Sequence, residues 1–346
     1  MTHTPPDPTT LAHDLEADWL RFIDTFEPWR PALYRFCRSL TRTPWDAEDL
    51  MQDALMRAFA TIGGMSPLPA NPRAWLFRVA SNLWIDRQRK KRELLPGELP
   101  DAPISDPPAG ARDAGARLLA ALPPQERVAV LLKDVFDFRA NEIAEVLGTT
   151  TGAIKTALHR GRGRLAESNT VDESEANVPG GLAASASPRT AEEEGRPVIP
   201  EVLDAFCEAF NARDLARMTE LLLENGSAEI SGMVPEYGRD AIVDRETGSL
   251  FHTVFSPLAH AVPDALLVGN RDAPKGEMRL IHGEPTMLIW YDHDEGPVVR
   301  DLVRFRVAEG GLAHIHYHFF SPEILEEVCA ELGVPWRTNG YRYFVD

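Results

Sequence analysis

The sequence predicts a multidomain chain: two all-α modules, the second a helix-turn-helix, followed by an α+β domain. Three observations carry this. Helical periodicity dominates residues 12–95 and resumes over 112–166; Pro- and Ser-rich stretches at 96–111 and 167–197 act as linkers; and from Val198 to Asp346 leading helices give way to strand-like runs. With 346 residues, 44% of them hydrophobic, the chain is long enough for two or three cores. Its net charge of −17 hides an asymmetry, because residues 1–166 hold 22 basic and 21 acidic side chains, leaving 14 and 32 for the rest. An anionic back half tethered to a locally basic front half is suited to repelling DNA or to covering a basic surface.

Residues 1–11 are a Pro/Thr-rich tail without the charged and apolar parts of a signal peptide, and no apolar run approaches membrane-spanning length. Cys37, Cys207 and Cys329 stand apart, with no CxxC or Cys/His zinc spacing. Together these predict a reduced, cytoplasmic protein that does not enter a membrane.

The first helical module contains DAEDLMQDALMRAF (Asp46 to Phe59), on which Asp49, Gln52 and Asp53 share one face. Acidic residues here also favour a helix start through its dipole. After the Gly/Pro-rich loop Gly63 to Pro69 comes AWLFRVASNLWIDRQRKKRE (Ala74 to Glu93). On a helical wheel Trp75, Leu76, Val79, Ala80 and Leu83 form an apolar stripe with Phe77 and Trp84 at its edge. From Arg87 to Arg92 positive charge surrounds the helix. Such an end either is a solvated terminus favoured by the dipole or meets a polyanion, with aromatics available to stack unpaired bases.

In Leu122 to Leu165 the order of parts is helix, Ala140 to Leu147, a turn at Gly148, then a helix capped by Thr150. Ile143, Val146, Leu147, Ile154 and Leu158 supply the core, and Ala144 lets the helices approach. Thr151, Lys155, Thr156 and His159 lie toward the front of the second helix, where side chains reach base edges; Arg160, Arg162 and Arg164 lie behind, suited to phosphates. The alternative is a three-helix bundle with basic decoration.

From Val198 the segment to Leu223 reads as helical, and strand-like runs follow at Glu277 to Ile281, Thr286 to Tyr291, Val298 to Val307 and Leu312 to Phe320. Turns fall at Asp292 to Gly296 and Glu309 to Gly311. His314, His316 and His318, spaced by two, share one strand face; with Tyr237 and Trp290 they are candidates to line a polar pocket for a small ligand. No carboxylate or cysteine is evidently paired with them, so no metal and no cofactor is predicted. A general base such as Asp301 would have to face the cavity with a perturbed pKa, and no catalytic pair is legible.

Three segments, DAEDLMQDALMRAF, AWLFRVASNLWIDRQRKKR and LPPQERVAVLLKDVFDFRANEIAEVLGTTTGAIKTALHRGRGRL, in this order, resemble the extracytoplasmic-function sigma factors of bacterial RNA polymerase. The resemblance covers the first half of the chain and implies a sigma region 2 over 12–95 and a sigma region 4 over 112–166. It implies that Asp46, Glu48, Asp49, Gln52 and Asp53 bind core RNA polymerase. It further implies that the loop Ile62 to Pro72 with Asn82, Asp86, Arg87 and Arg89 opens promoter DNA and reads the −10 element, with Lys90 of the basic run beside them, and that the recognition helix reads the −35 element; Trp84 either offers a stacking face to an unpaired base or is a partly buried core residue. The pattern departs at Ala157, where a basic residue is common, and at Gly161 and Gly163, each costing about 1 kcal/mol of helix stability; fraying is predicted near Arg162. At the level of fold, IPEVLDAFCEAFNARDLARMTELL and DLVRFRVAEGGLAHIHYHFFSPEIL resemble the SnoaL-like or NTF2-like domains, a cone of sheet and helix, implying a regulatory module at 198–346. The chain is therefore expected to be a non-enzymatic sigma factor with promoter DNA and core polymerase as partners. The alternatives are a polymerase-independent helix-turn-helix regulator with a ligand sensor, or a DNA-binding module fused to an enzyme.

Overall fold

The computed structural model describes residues 21–22, 24–62, 69–94, 119, 121–175, 199–231, 235–245, 248–250, 274–338 and 340–341, which belong to two compact units, Met1–Ala184 and Ser185–Asp346. The expected tail 1–11, the linker 96–111, and most of the Ile62 to Pro72 loop and of the linker 167–197 lie outside the described residues.

In the first unit, α1 (Arg30–Leu40), α2 (Pro44–Ile62) and α3 (Pro72–Leu94) pack on one another. Prolines open α2 and α3, where a missing N–H costs nothing. Each of these starts is capped: Thr43 Oγ1 accepts from the Asp46 N–H at 3.0 Å, and Asn71 Oδ1 from the Ala74 N–H at 3.0 Å. Between them α1 buries Phe36 and Cys37, α2 buries Trp45, Leu50 and Met51, and α3 buries Leu76, Phe77, Ala80 and Trp84.

Next come α4 (Pro124–Val130), a π-helical segment Leu131–Val135, α5 (Ala140–Leu147) and α6 (Thr151–Glu175). Gly148, with φ 60°, adopts the left-handed conformation that ends α5, and Thr150 Oγ1 accepts from the Ala153 N–H at 3.2 Å to start α6. Of the expected interhelical core Ile143, Val146, Ile154 and Leu158 are buried, as is Ala144, while Leu147 is half-buried. The expected fraying does not occur: α6 continues through Gly161 and Gly163 to Glu175, into the stretch read from composition as linker. Gly161 is buried against α4, and a Cβ there would lie 2.9 Å from Val130 Cγ2. The glycine is thus a site of close helix approach, and packing offsets its low propensity. Gly161→Leu should overpack this contact and destabilise the helix-turn-helix by about 1–3 kcal/mol, read by urea denaturation; an unchanged midpoint would mean the approach is not tight.

The two groups of helices in this unit pack together, with α3 against α4 and α5. Phe77 meets Phe136 and Phe138 at centroid distances of 5.6 and 5.2 Å. Arg73 donates to the Phe136 carbonyl at 2.6 Å while its guanidinium lies 4.2 Å from the Phe138 ring centroid.

The second unit contains α7 (Glu201–Ala212), α8 (Leu215–Leu221), β1 (Leu222–Ile230), β2 (Glu236–Tyr237), α9 (Arg239–Val243), β3 (Lys275–Ile281), β4 (Glu284–Tyr291), β5 (Val298–Ala308), β6 (Gly311–Tyr317) and α10 (Pro322–Leu332). The sheet order is β2-β1-β6-β5-β4-β3; among the described strands β1 and β6 pair in parallel and the other neighbours antiparallel. Four strands lie where alternation predicted them. The turn before β6 is the pair Glu309 and Gly310, both with positive φ, as a two-residue hairpin requires. A third hairpin, β3–β4, turns at His282 and Gly283 in the same way. The core joins Phe206 and Phe210 of α7 and Met218 of α8 to Met287 and Ile289 of β4, Val303 of β5 and Ile315 and Tyr317 of β6. Asn211 on α7 donates to the Gly276 carbonyl at 3.0 Å and accepts from its N–H at 2.8 Å, so a side-chain amide occupies backbone groups of the edge strand β3.

Candidate functional site

The acidic helix α2 divides its expected polymerase-binding residues between two environments. Asp46 and Asp53 are exposed and Asp49 is half-buried. Glu48, 0% exposed, and Gln52, 9% exposed, are turned inward, where Gln52 Nε2 donates to Glu48 Oε1 at 2.7 Å. They are corrected from docking residues to a buried pair, because α2 packs between α1 and α3 and its inward arc takes in position 52 as well as 48. The outward arc carries instead a residue that the sequence reading passed over, Met56, 48% exposed beside Asp53. A methionine one turn after Asp53, beside Arg57, was the available signal.

On α3 the expected −10 residues Asn82, Asp86, Arg87, Arg89 and Lys90 are exposed. Arg89 pairs within its helix, with Asp86 at 3.2 Å and Glu93 at 4.0 Å. Arg87 instead crosses to α2 and forms an ion pair with Asp53. Of the two places expected for Trp84 the structure has the core one: it is 2% exposed, and the Arg127 guanidinium of α4 lies 5.1 Å from its ring centroid. Its ring is therefore not available for stacking on a base in this conformation. The apolar arc of α3 is centred near Phe77 and Trp84, with Trp75, Val79 and Leu83 half-buried at its margin.

The front of α6 presents Thr151, Lys155, Thr156 and His159, with Arg160 beside them, all exposed. This leaves donors of several lengths on one solvent-facing surface, the requirement for reading a major groove. Thr156 Oγ1 donates to the Gly152 carbonyl at 3.1 Å. The two later arginines are held by carboxylates of the preceding helices: Arg162 forms a two-pronged pair with Asp134, and Arg164 pairs with Glu126. Surface pairs of this kind are weak enough for a phosphate to compete.

In the second unit the expected pocket residues separate. Because Ile315 and Tyr317 face the core, His314 and His316 project to the opposite side of the sheet. There His314 Nδ1 lies 2.8 Å from Ser227 Oγ, His316 Nε2 lies 3.0 Å from Ser231 Oγ, and His318 Nδ1 lies 3.4 Å from the same hydroxyl. Burial is the first cause lowering all three: His316 is pushed down to about 3, with Arg304 and then His314 adding to it, and below the ordinary range lie also His314, beside Arg306 and Arg304, and His318, beside His316 and Arg304. These are neutral rings in a polar ladder on a sheet face. Tyr237 is 74% exposed. Trp290 alone of the expected group borders a cleft of about 370 Å³, together with Lys275, Gly276, Glu277, Asp292 and Pro297, and its Nε1 donates to Glu277 Oε2 at 2.9 Å. A bulge beside Ile289 places Asp301 opposite that core residue, where burial raises its carboxyl well above the usual range against the lowering pull of the Leu302 and His318 N–H groups. No group of three or more His, Cys, Asp or Glu among the described residues is arranged to hold a metal ion.

Comparison with known proteins bears on the first half. Residues 25–93 match the family model for Sigma-70 region 2, and residues 115–165 match that for Sigma-70, region 4. The chain is 32% identical over 167 residues to the ECF RNA polymerase sigma factor SigM of Mycobacterium tuberculosis (strain ATCC 25618 / H37Rv), spanning 47% of this chain and 85% of SigM. The chain belongs to the ECF RNA polymerase sigma factors. This sigma-family chain is also 30% identical over 254 residues to SigG of M. tuberculosis (strain CDC 1551 / Oshkosh), an alignment covering 63% of each, so it spans somewhat less than two thirds of that relative's length. A crystal structure of M. tuberculosis SigJ aligns with 86% of this chain and 95% of its own, at 22% identity and a TM-score of 0.31. The family's two helical regions are followed here by the α+β unit, and no helix among the described residues is long and apolar enough to cross a membrane.

Proposed function

We propose that this chain is a promoter-specificity subunit, acting in the cytoplasm, that binds core RNA polymerase, recognises −10 and −35 promoter elements and promotes melting. The observation that supports it most is the joint presence, in family order, of an exposed acidic face on α2, an exposed basic end on α3 and an exposed polar front on α6. Region 2 would span 12–95 and region 4 112–166, with Asp46, Asp49 and Asp53 meeting the polymerase. Asn82, Asp86, Arg87, Arg89 and Lys90 would meet the −10 strand, and Thr151, Lys155, Thr156, His159 and Arg160 the −35 bases and phosphates.

The unit at 198–346, of the SnoaL-like or NTF2-like class, would modulate this activity without being an enzyme. Promoter-specific transcription with purified core polymerase, comparing the full chain with one ending after Glu175, tests both parts. The expected result is transcription that depends on the added chain and changes in level on truncation. Failure to copurify with core polymerase while DNA binding persists would favour a polymerase-independent regulator; unchanged transcription on truncation would remove the regulatory role.

A further inference from the structure

The ion pair between Asp53 and Arg87 joins two surfaces that the function assigns to different partners. Asp53 lies on the outward acidic face of α2, and Arg87 lies where the basic end of α3 begins. Their side chains keep 59% and 41% of their exposure, so both remain within reach of an incoming partner. The neighbouring charges are arranged differently. Arg89 pairs along its own helix, and Asp46 accepts from the Thr43 hydroxyl at 2.8 Å, at the start of its own. The buried Glu48 is engaged with Gln52. Thus Asp53 and Arg87 tie the polymerase-facing helix to the DNA-facing one across 34 residues of sequence.

We propose that Asp53 and Arg87 form an exchange pair. In the free chain the Asp53 carboxylate holds the Arg87 guanidinium; docking of the acidic face on a cationic polymerase surface takes the carboxylate and releases Arg87 to a phosphate of the melted strand. Polymerase binding and single-strand binding are then coupled, each favouring the other by the same factor. The inference rests on the sigma-factor reading. The factor is modest, because an exposed ion pair contributes at most about 1 kcal/mol, or about fivefold in affinity.

The test uses the full chain without polymerase and a short, fluorescein-labelled, A/T-rich DNA single strand, with affinity followed by anisotropy across a salt series. Asp53→Asn should raise affinity about two- to fivefold and steepen the plot of log affinity against log salt by about 0.7, the increment for one phosphate contact. Loss of a negative charge alone would also help binding, so Asp46→Asn, on the same face but away from Arg87, is the control and should give a smaller gain and no change of slope. In an Arg87→Gln background, Asp53→Asn should give no more than that control. Equal gains from Asp46→Asn and Asp53→Asn, no gain from Asp53→Asn, or a gain above the control's that persists in the Arg87→Gln background would each overturn the exchange. Core-polymerase binding by the wild-type chain is measured in parallel. Its absence overturns the sigma-factor reading and this inference with it, whereas its presence alongside equal gains removes the exchange alone.

Discussion

Phe77→Ala should destabilise the first unit by about 3–5 kcal/mol, the range for deleting a fully buried aromatic side chain. Phe77 is 0% exposed and touches both groups of helices: Phe36 of α1 lies 5.0 Å away between centroids, and Phe136 and Phe138 lie at 5.6 and 5.2 Å on the other side. Phe36 and Phe136 also meet edge to face at 5.5 Å, so the missing ring leaves a cavity walled by side chains that already support one another and collapse poorly. Arg73, 5.8 Å from the Phe77 ring, loses part of its aromatic surroundings as well. Two readouts are expected to move together: the urea midpoint, and hydrogen-exchange protection of α5 along with that of α1. The control is Met56→Ala, at a 48% exposed position, which should stay within about 0.5 kcal/mol. A loss below about 1 kcal/mol for Phe77→Ala, or unchanged protection of α5, would show that the aromatic cluster does not join the two regions.

Phe77 also marks how far the sequence could be read. Periodicity found the α3 helix and its basic end and placed the apolar stripe on Trp75, Leu76, Val79, Ala80 and Leu83, of which Leu76 and Ala80 are buried, but it left Phe77 and Trp84 at the edge. The buried arc is rotated toward those two, because α3 packs against α4 and α5 as well as against α1 and α2. A wheel drawn for one helix registers only its own residues. The same limit explains Gly161: propensity predicted an interruption, whereas the contact with Val130 that makes glycine fit comes from another helix.

The helix-turn-helix was legible to the residue at its turn, since Gly148 and Thr150 act through local backbone geometry that sequence encodes directly. Strand β1 was read in part as helix. Its sequence LLENGSAEI carries little β propensity, and it is a strand because β6 pairs beside it. The histidine spacing was read correctly as one face, yet which face is set by Ile315 and Tyr317 turning to the core, a fact of packing rather than of spacing. Glu48 and Gln52 could not be told from Asp49 and Asp53, because all four positions are polar and only the helices around α2 decide which arc is covered.

The histidine ladder carries the second large effect, a loss of stability in the second unit on acidification. His316 has its folded pKa lowered to about 3 from the ordinary 6.5, by burial first and then by Arg304 and His314, and His318 is lowered as well, by burial first and then by His316 and Arg304. Below pH 6.5 the unfolded chain protonates these rings while the folded chain leaves them neutral, so the unfolded state binds more protons and stability falls as pH falls. The slope is about 1.4 kcal/mol per pH unit for each ring, from about pH 6.5 down to its folded pKa. For His316 alone this amounts to about 2.7 kcal/mol at pH 4.5.

Asp301 works in the opposite sense. Its carboxyl is raised by burial, so its unfavourable effect grows as pH rises through its folded pKa and is absent at low pH. The total pH profile therefore mixes signs, and a difference between variants isolates the ladder. His316→Gln removes one titrating ring. Relative to wild type it should have a constant stability difference above pH 7 and gain about 1.4 kcal/mol per pH unit below pH 6.5, read from urea denaturation of the full chain followed by hydrogen exchange of the β6 amides. A parallel pair of profiles across pH 7 to 4.5, or a directly titrated His316 pKa near 6, would mean that the ring is solvated and that burial and Arg304 do not hold it neutral.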